Sequence, residues 1–159
     1  MTKIITFVLI CHLIIGFIEP LTVQNISNLQ KKRIEQQIDS VFHDNIKAAE
    51  HLDYDLLSKG VDDKYKAGFI TNGTYFAQYD SLINIAKARS QGVAKQTIKL
   101  QKEKITVLSE RIALLTAYGD TNVELSDGNT FTAKFFWTFV YEKTGNNWKV
   151  IQSHQSSVR

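Results

Sequence analysis

Near the C-terminal end of the chain, one histidine has the side-chain chemistry for proton transfer. His154 follows Gln152 by two residues, a spacing that places both side chains on one face of a β-strand. An imidazole titrates near neutral pH and can act as a general acid or base, while the amide can hold a substrate. We name His154 as the candidate catalytic residue. The alternative is a partly buried histidine whose ring bonds the backbone or Tyr65.

Aromatic side chains supply the other candidate contacts to a bound molecule. A phenol that points into a pocket can donate a hydrogen bond to a developing oxyanion, and an indole can stack on a ring-bearing ligand. Packing in the hydrophobic core is the competing interpretation of each aromatic residue. The candidate ligand-binding set is Tyr65, Tyr118, Phe135, Trp137, Phe139, Gln152 and His154.

The spacing of possible ligand residues predicts no metal site and no cofactor. His43 and His51 lie eight residues apart in a predicted helix, which is too far for both to hold one ion, and no third ligand is evident. The only cysteine, Cys11, lies in an apolar N-terminal stretch. The folded domain is therefore expected to have no disulfide, no thiol nucleophile and no thiolate ligand.

That N-terminal stretch has the features of a secretory signal. Lys3 precedes an apolar run over residues 4–18, which Glu19 and Pro20 end. The run is shorter than the roughly 20 apolar residues that cross a bilayer. We expect residues 1–23 to be a signal peptide and residues 24–159 to be one exported domain, periplasmic or secreted, without stable membrane insertion. An uncleaved anchor is the alternative.

Hydrophobic spacing predicts two helices, over residues 27–58 and 81–91, before a β-rich half. Residues 53–57 either continue the first helix or form a second short turn. Short strands are expected on either side of the Asn72-Gly73 turn. Two further turn sequences, Ser126-Asp127-Gly128-Asn129 and Thr144-Gly145-Asn146-Asn147, separate long runs of β-branched and aromatic residues. Four long antiparallel strands are predicted over residues 97–108, 112–125, 130–143 and 148–157. Helices followed by an antiparallel meander indicate an α+β fold.

The period of two divides each long strand into an inward and an outward face. In the third strand the aromatic face from Phe131 to Tyr141 is expected to be buried. In the fourth strand, Lys149 should be exposed to solvent, so the face that begins with Trp148 is predicted to point inward. This face also contains Gln152 and His154. A long twisted sheet under two helices is expected to form a cone around a cavity.

The order of these elements and the C-terminal sequence resemble the SnoaL-like branch of the nuclear transport factor 2-like superfamily. The resemblance rests on the amphipathic first helix, the Ala67-Gly68-Phe69-Ile70-Thr71-Asn72-Gly73 segment and the helix from Ser81. It rests above all on the aromatic strand 135–143 and on Trp148 opening the last strand, with a histidine and a serine two residues apart at its end. It implies a cystatin-like cone with helices on the concave face of a strongly curved antiparallel sheet, and frequent homodimers through the outer sheet surface.

Members of this superfamily include isomerases, cyclases, dehydratases and epoxide hydrolases as well as binding and accessory domains. In the enolising members a carboxylate projects into the cavity, and here no aspartate or glutamate falls on the predicted inward face of the last two strands. The first hypothesis is therefore an exported domain that holds a small apolar or amphipathic molecule without catalysis. The alternatives are a small isomerase, dehydratase or hydrolase that uses His154, and a dimerisation or protein-interaction module. A net charge of +3 with interleaved signs does not favour nucleic acid as a partner.

Overall fold

The computed structural model describes residues 26–158, and the predicted signal peptide lies outside them. Three helices precede or interrupt a β-rich chain, and the short second one is separate from the long first helix. In chain order the elements are α1 Asn28–Glu50, α2 Tyr54–Lys59, β1 Phe69–Thr71, β2 Thr74–Phe76, α3 Tyr79–Arg89, β3 Val93–Val107, β4 Ile112–Leu125, β5 Thr130–Thr144 and β6 Asn147–Val158. No helix within residues 26–158 is long and apolar enough to cross a membrane.

The long N-terminal helix begins where its cap predicts and ends earlier than its hydrophobic period suggests. The Ser27 hydroxyl accepts a hydrogen bond from the Gln30 amide at 3.2 Å, which satisfies one of the free N–H groups of the first turn. The helix stops because Leu52 takes a left-handed backbone conformation with φ 56°. Asp53 then caps the short α2 by accepting from the Leu56 amide at 2.9 Å.

The third helix begins at Tyr79, two residues before the predicted start. Its cap comes from a distant residue: a carboxylate oxygen of Asp63 accepts a hydrogen bond from the Tyr79 amide at 3.1 Å. Asp80 lies inside the first turn of this helix. An acidic side chain there still complements the helix dipole.

The strands form one six-stranded sheet in the order β2-β1-β6-β5-β4-β3. Neighbouring long strands pair antiparallel, and β1 pairs parallel with β6. The two predicted hairpin turns join β4 to β5 and β5 to β6, with Gly128 at φ 86° and Gly145 at φ 60°. Both values are in the region that a glycine adopts without strain. The predicted α+β architecture with an antiparallel meander is confirmed.

The core lies between α1 and the concave face of the sheet. A buried apolar residue recurs every four positions along α1, at Ile34, Ile38, Phe42 and Ile46, and this spacing forms one stripe on the helix. Burying a side chain of this size contributes about 1.5–3 kcal/mol relative to leaving it in water. From the sheet the stripe meets Phe69, Leu115, Phe135, Tyr141, Trp148 and Val150.

A β-bulge in β6 changes which side chains enter the interior. Tyr141 pairs with Val150 and Val140 pairs with Gln152, so Ile151 is an extra residue without a partner in β5. An extra residue shifts the alternation of all following side chains by one position. Val150 is buried before the bulge and Ser153 after it, while His154 is exposed. The predicted inward orientation of Gln152 and His154 is therefore wrong.

Candidate functional site

An internal cavity of about 210 Å³ lies between the helices and the concave face of the sheet. All three helices contribute to its wall, as do the inward faces of β3, β5 and β6. Apolar groups dominate the surface. The lining side chains are Phe42, Asn45, Ile46, Ala49, Tyr54, Leu57, Val61, Tyr79, Leu82, Ile83, Ala86, Gln96, Ile98, Thr121, Trp137, Phe139, Tyr141, Val150, Ser153 and Gln155.

Polar groups enter the wall from each helix and from β3, β4, β5 and β6, and the bulged strand β6 contributes Ser153 and Gln155. Ser153 is 1% exposed, and its hydroxyl accepts a hydrogen bond from the Gln155 amide at 3.2 Å. From the opposite side the Gln96 amide donates to the backbone carbonyl of Ala49, which ties β3 to the end of α1. The cavity is thus lined by three amides and two aliphatic hydroxyls, all of them neutral: Asn45, Gln96, Gln155, Thr121 and Ser153.

Two phenols in the wall are held in their neutral form. Burial raises the pKa of Tyr79 to about 12. Burial also raises the pKa of Tyr141, against a smaller opposite effect of the Asn45 amide, and the negative charge of Glu103 raises it further. The hydroxyl oxygen of Tyr141 is fully buried and has no partner that meets hydrogen-bond geometry. Such a group gains free energy when a guest offers a partner.

Trp137 and Phe139 line the cavity, as the sequence predicts. Phe135 points to the same side of β5 and is buried, but it lies outside the cavity wall. Its ring stacks on Trp137 with a centroid distance of 3.9 Å and an interplanar angle of 22°. Phe135 therefore supports the indole from behind, and this contact fixes the orientation of one cavity wall.

Tyr65 and Tyr118 lie away from the cavity. Tyr65 is exposed in the loop before β1, and its hydroxyl donates to a carboxylate oxygen of Glu142 at 3.0 Å. Lys64 approaches the same carboxylate at 2.7 Å and holds the pKa of Glu142 below its usual range. Tyr118 stacks on Phe136 across the outer face of the sheet, with ring centroids 6.3 Å apart. Neither side chain lines the cavity.

His154 lies on the outer face of the sheet, opposite Thr138 of β5. It contributes to a shallow groove that also contains Lys102, Tyr118 and Phe136, and it does not reach the cavity. Gln152 also follows the bulge, opposite Val140 of β5. It is half-buried and is not part of the cavity wall. The prediction that these two side chains point into a pocket assumes that inward and outward side chains alternate without a break along β6. The extra residue Ile151 breaks that alternation.

The polar residues that do reach the cavity were not identified from the sequence. Ser153 and Gln155 alternate with Gln152 and His154 along the strand. The period of two therefore placed them on the outward face. Tyr141 was assigned to the inward face, but as an aromatic core residue rather than a donor. Asn45 and Gln96 had no visible signal, because a single amide in a helix or an edge strand resembles a surface residue.

A second group of polar side chains lies where α1 crosses β3. Asp39, His43 and Glu103 each offer one oxygen or nitrogen atom, and these atoms lie within 4.8 Å of one another. Burial of Glu103, together with the hydrogen bond and negative charge of Asp39, raises the pKa of Glu103 to about 7. Among the described residues this is a set that could hold a metal ion. The cavity wall, by contrast, contains amide, hydroxyl and phenol groups.

The chemistry that the cavity supports is recognition of a neutral molecule. Within the part of the chain that the structure describes, no carboxylate, imidazole or amine side chain lines it. A phenol with a pKa near 12 does not accept or release a proton readily at neutral pH. Amides, a serine and a free tyrosine hydroxyl can instead form hydrogen bonds with a guest, and the aromatic wall can pack against its ring.

Solved structures with the same fold cover most of this chain. A nuclear transport factor 2-like superfamily protein from Salmonella enterica serovar Typhimurium has a TM-score of 0.71 at 16% identity, over 81% of this chain and 94% of its own. A hexachlorocyclohexane dehydrochlorinase has a TM-score of 0.70 at 13% identity, over 84% and 90%. A Caulobacter vibrioides protein with a cystatin-like fold has a TM-score of 0.65 at 12% identity, over 79% and 89%. At these identities the likeness shows the fold alone.

Sequence comparison adds the family. Among curated proteins, none matches this chain in sequence. The family model described as a SnoaL-like domain matches residues 38–159, a span that contains most of α1, the whole sheet and the complete cavity wall. The resemblance inferred from the first helix and the aromatic hairpin is therefore confirmed: the fold is that of nuclear transport factor 2-like proteins, and the chain belongs to the SnoaL-like family.

Proposed function

We propose that this protein binds a small neutral molecule with one ring in its internal cavity and does not transform it. The observation that carries this proposal is a cavity of about 210 Å³ whose wall is aromatic and aliphatic, with neutral polar groups at a few points. A neutral lining disfavours a charged guest, because an ion moved from water into such a site has no counter-charge. It favours a guest with an apolar ring and one hydrogen-bonding group.

The size of the cavity sets the size of the guest. An apolar cavity of about 150 Å³ in another protein holds benzene, so 210 Å³ accommodates a substituted ring of about ten non-hydrogen atoms. We choose 4-ethylphenol as the neutral probe and benzoate as a charged probe of similar size. A ligand of this size that fits well is expected to bind with a Kd of about 10–100 μM.

Titration with these two probes tests the proposal. We expect 4-ethylphenol to change the fluorescence of Trp137 and to raise the melting temperature, and benzoate to bind at least about tenfold more weakly because its carboxylate would be unpaired. His154→Ala is the control, since His154 lies outside the cavity; it should keep the same affinity. Equal binding of the two probes, or no binding of either, would contradict the proposal.

A second function is supported by the outer face of the sheet. Tyr118 and Phe136 are 41% and 50% exposed and stack on each other beside the groove that contains His154. An exposed aromatic pair at the centre of a sheet face is typical of an interaction surface. We infer that a second copy of the chain covers this face, as the resemblance to dimeric family members also suggests.

Phe136→Glu tests this homodimer. The substitution places a charge in the centre of the contact and is expected to shift the sedimentation coefficient from that of a dimer to that of a monomer. Leu29→Glu is the matched control, because Leu29 is also an exposed apolar residue, at 74%, but lies on α1. An unchanged oligomeric state for Phe136→Glu, or dissociation by Leu29→Glu as well, would remove this function from consideration.

A further inference from the structure

Two carboxylates and an imidazole converge on the side of the molecule where α1 crosses β3. Asp39 and His43 are four residues apart and lie on one face of α1, and Glu103 reaches them from β3. One potential ligand atom from each side chain lies within 4.8 Å of the other two. Neither element alone could form this group, because the strand contributes a single member.

The negative charge of this group is poorly compensated. One oxygen of Glu103, Oε2, is buried and has no partner that meets hydrogen-bond geometry, while the carboxyl group of Asp39 lies close to Glu103. Among the described residues the ion pair of Asp39 is the one with His43, at 3.6 Å, and no lysine or arginine forms an ion pair with Glu103. Lys102 and Lys104 flank Glu103 in β3, and strand alternation directs them to the opposite face. A bound cation would satisfy both carboxylates.

The histidine selects the type of cation. Ca²⁺ and Mg²⁺ prefer oxygen ligands alone, whereas an imidazole beside carboxylates suits Zn²⁺ and its first-row neighbours. The Nδ1 atom of His43 lies 3.0 Å from the backbone carbonyl of Asp39. A carbonyl only accepts, so Nδ1 is the donor in this contact, and the other ring nitrogen is the one that can coordinate a cation.

The geometry also allows the ligands to close on an ion. Ligand atoms around Zn²⁺ lie about 3–3.5 Å from one another, given bond lengths near 2.0–2.2 Å. The side chains of His43 and Asp39 are 47% and 50% exposed, so both can rotate towards Glu103 without disturbing the core. Water can then complete the coordination shell from the solvent side.

We propose that Asp39, His43 and Glu103 bind one divalent first-row transition cation, with Zn²⁺ as the reference ion. The cation joins α1 to β3, and each of these elements provides part of the cavity wall, through Ile46 and Ile98 respectively. The site is therefore a structural one that holds the helix against the sheet. It is separate from the cavity and does not depend on what the cavity binds.

Calorimetric titration of the chelator-treated protein with Zn²⁺ tests the site. We expect one Zn²⁺ per chain and a rise in melting temperature of about 5–8 °C at about one hundred times Kd. Glu103→Gln keeps the shape of the side chain, and both this variant and His43→Gln are expected to lose at least about tenfold in affinity. Co²⁺ bound to the same site should give weak visible absorption that disappears in both variants.

His51→Gln is the matched control for adventitious binding. His51 lies at the C-terminal end of the same helix, is exposed, and has the same contact from Nδ1 to the carbonyl four residues earlier, at 2.7 Å. It has no carboxylate pair, so its replacement should leave the affinity unchanged. Loss of affinity in His51→Gln, full affinity in Glu103→Gln, tighter binding of Mg²⁺ or Ca²⁺, or no Zn²⁺ binding up to about 1 mM would each overturn the proposal.

Discussion

Replacing Gly119 with alanine is expected to lower the free energy of unfolding by about 3 kcal/mol, near the upper end for an overpacked interior. Gly119 lies in the middle of β4, opposite Phe135. A Cβ atom at this position would lie only 2.2 Å from the carbonyl oxygen of Lys99 and 2.8 Å from the ring of Phe135. Backbone cannot yield at so short a distance without breaking the pairing of β3 with β4.

The effect should extend to the cavity, because Phe135 supports Trp137 by stacking on it. Urea denaturation measures the loss of stability, and tryptophan fluorescence reports the movement of the indole. Gly145→Ala is the control: its φ is 60° and no atom lies within 4 Å, so it should lose only about 1–2 kcal/mol from backbone strain. Similar losses of unfolding free energy in the two variants would show that a Cβ atom so close to Lys99 and Phe135 does not destabilise the protein further.

Filling the cavity from α3 is expected to abolish binding of 4-ethylphenol while the protein stays folded. Ala86 is a small residue in the cavity wall, and Ala86→Phe would place a benzyl group in the space that the probe needs. We expect the affinity to fall by more than about tenfold, which corresponds to about 1.4 kcal/mol. The cost in folding stability should be below about 3 kcal/mol, because the added ring enters existing space.

Ala88→Phe is the matched control for this experiment. Ala88 lies two positions further along α3, is exposed and does not line the cavity, so the same substitution there should leave probe binding unchanged. Titration of both variants by fluorescence and thermal unfolding provides the comparison. Undiminished binding in a folded Ala86→Phe variant would place the binding site elsewhere on the molecule.

The order of helices and strands was predictable because local signals agree with one another. Ser27 marks a helix start, Gly128 and Gly145 occupy the turn positions that need a positive φ, and aromatic residues at every second position specify a half-buried strand. The sequence left open whether residues 53–57 continue α1 or form a separate turn, and it did not indicate the early start of α3. Leucine is not a residue type that favours a positive φ, so Leu52 carries no local signal for its conformation. The cap of α3 comes from Asp63, sixteen residues earlier.

The site was predictable only in its aromatic half. Trp137 and Phe139 were placed correctly because β5 keeps strict alternation through the region that lines the cavity. His154 was placed wrongly because one unpaired residue, Ile151, reverses the alternation of β6. Nothing in the Val150-Ile151-Gln152 sequence marks a bulge. Its position depends on how β6 pairs with β5 and with β1 on its other edge.

The sequence by itself determined that this protein is a SnoaL-like α+β cone with an aromatic inner wall, because periodicity and turn chemistry are local properties. Tertiary structure decided which polar groups that wall contains. It turned Ser153 inward and His154 outward, since the face of a strand depends on register with its neighbours. It also brought Glu103 to Asp39 and His43, since a helix and a strand meet only after the sheet has curved.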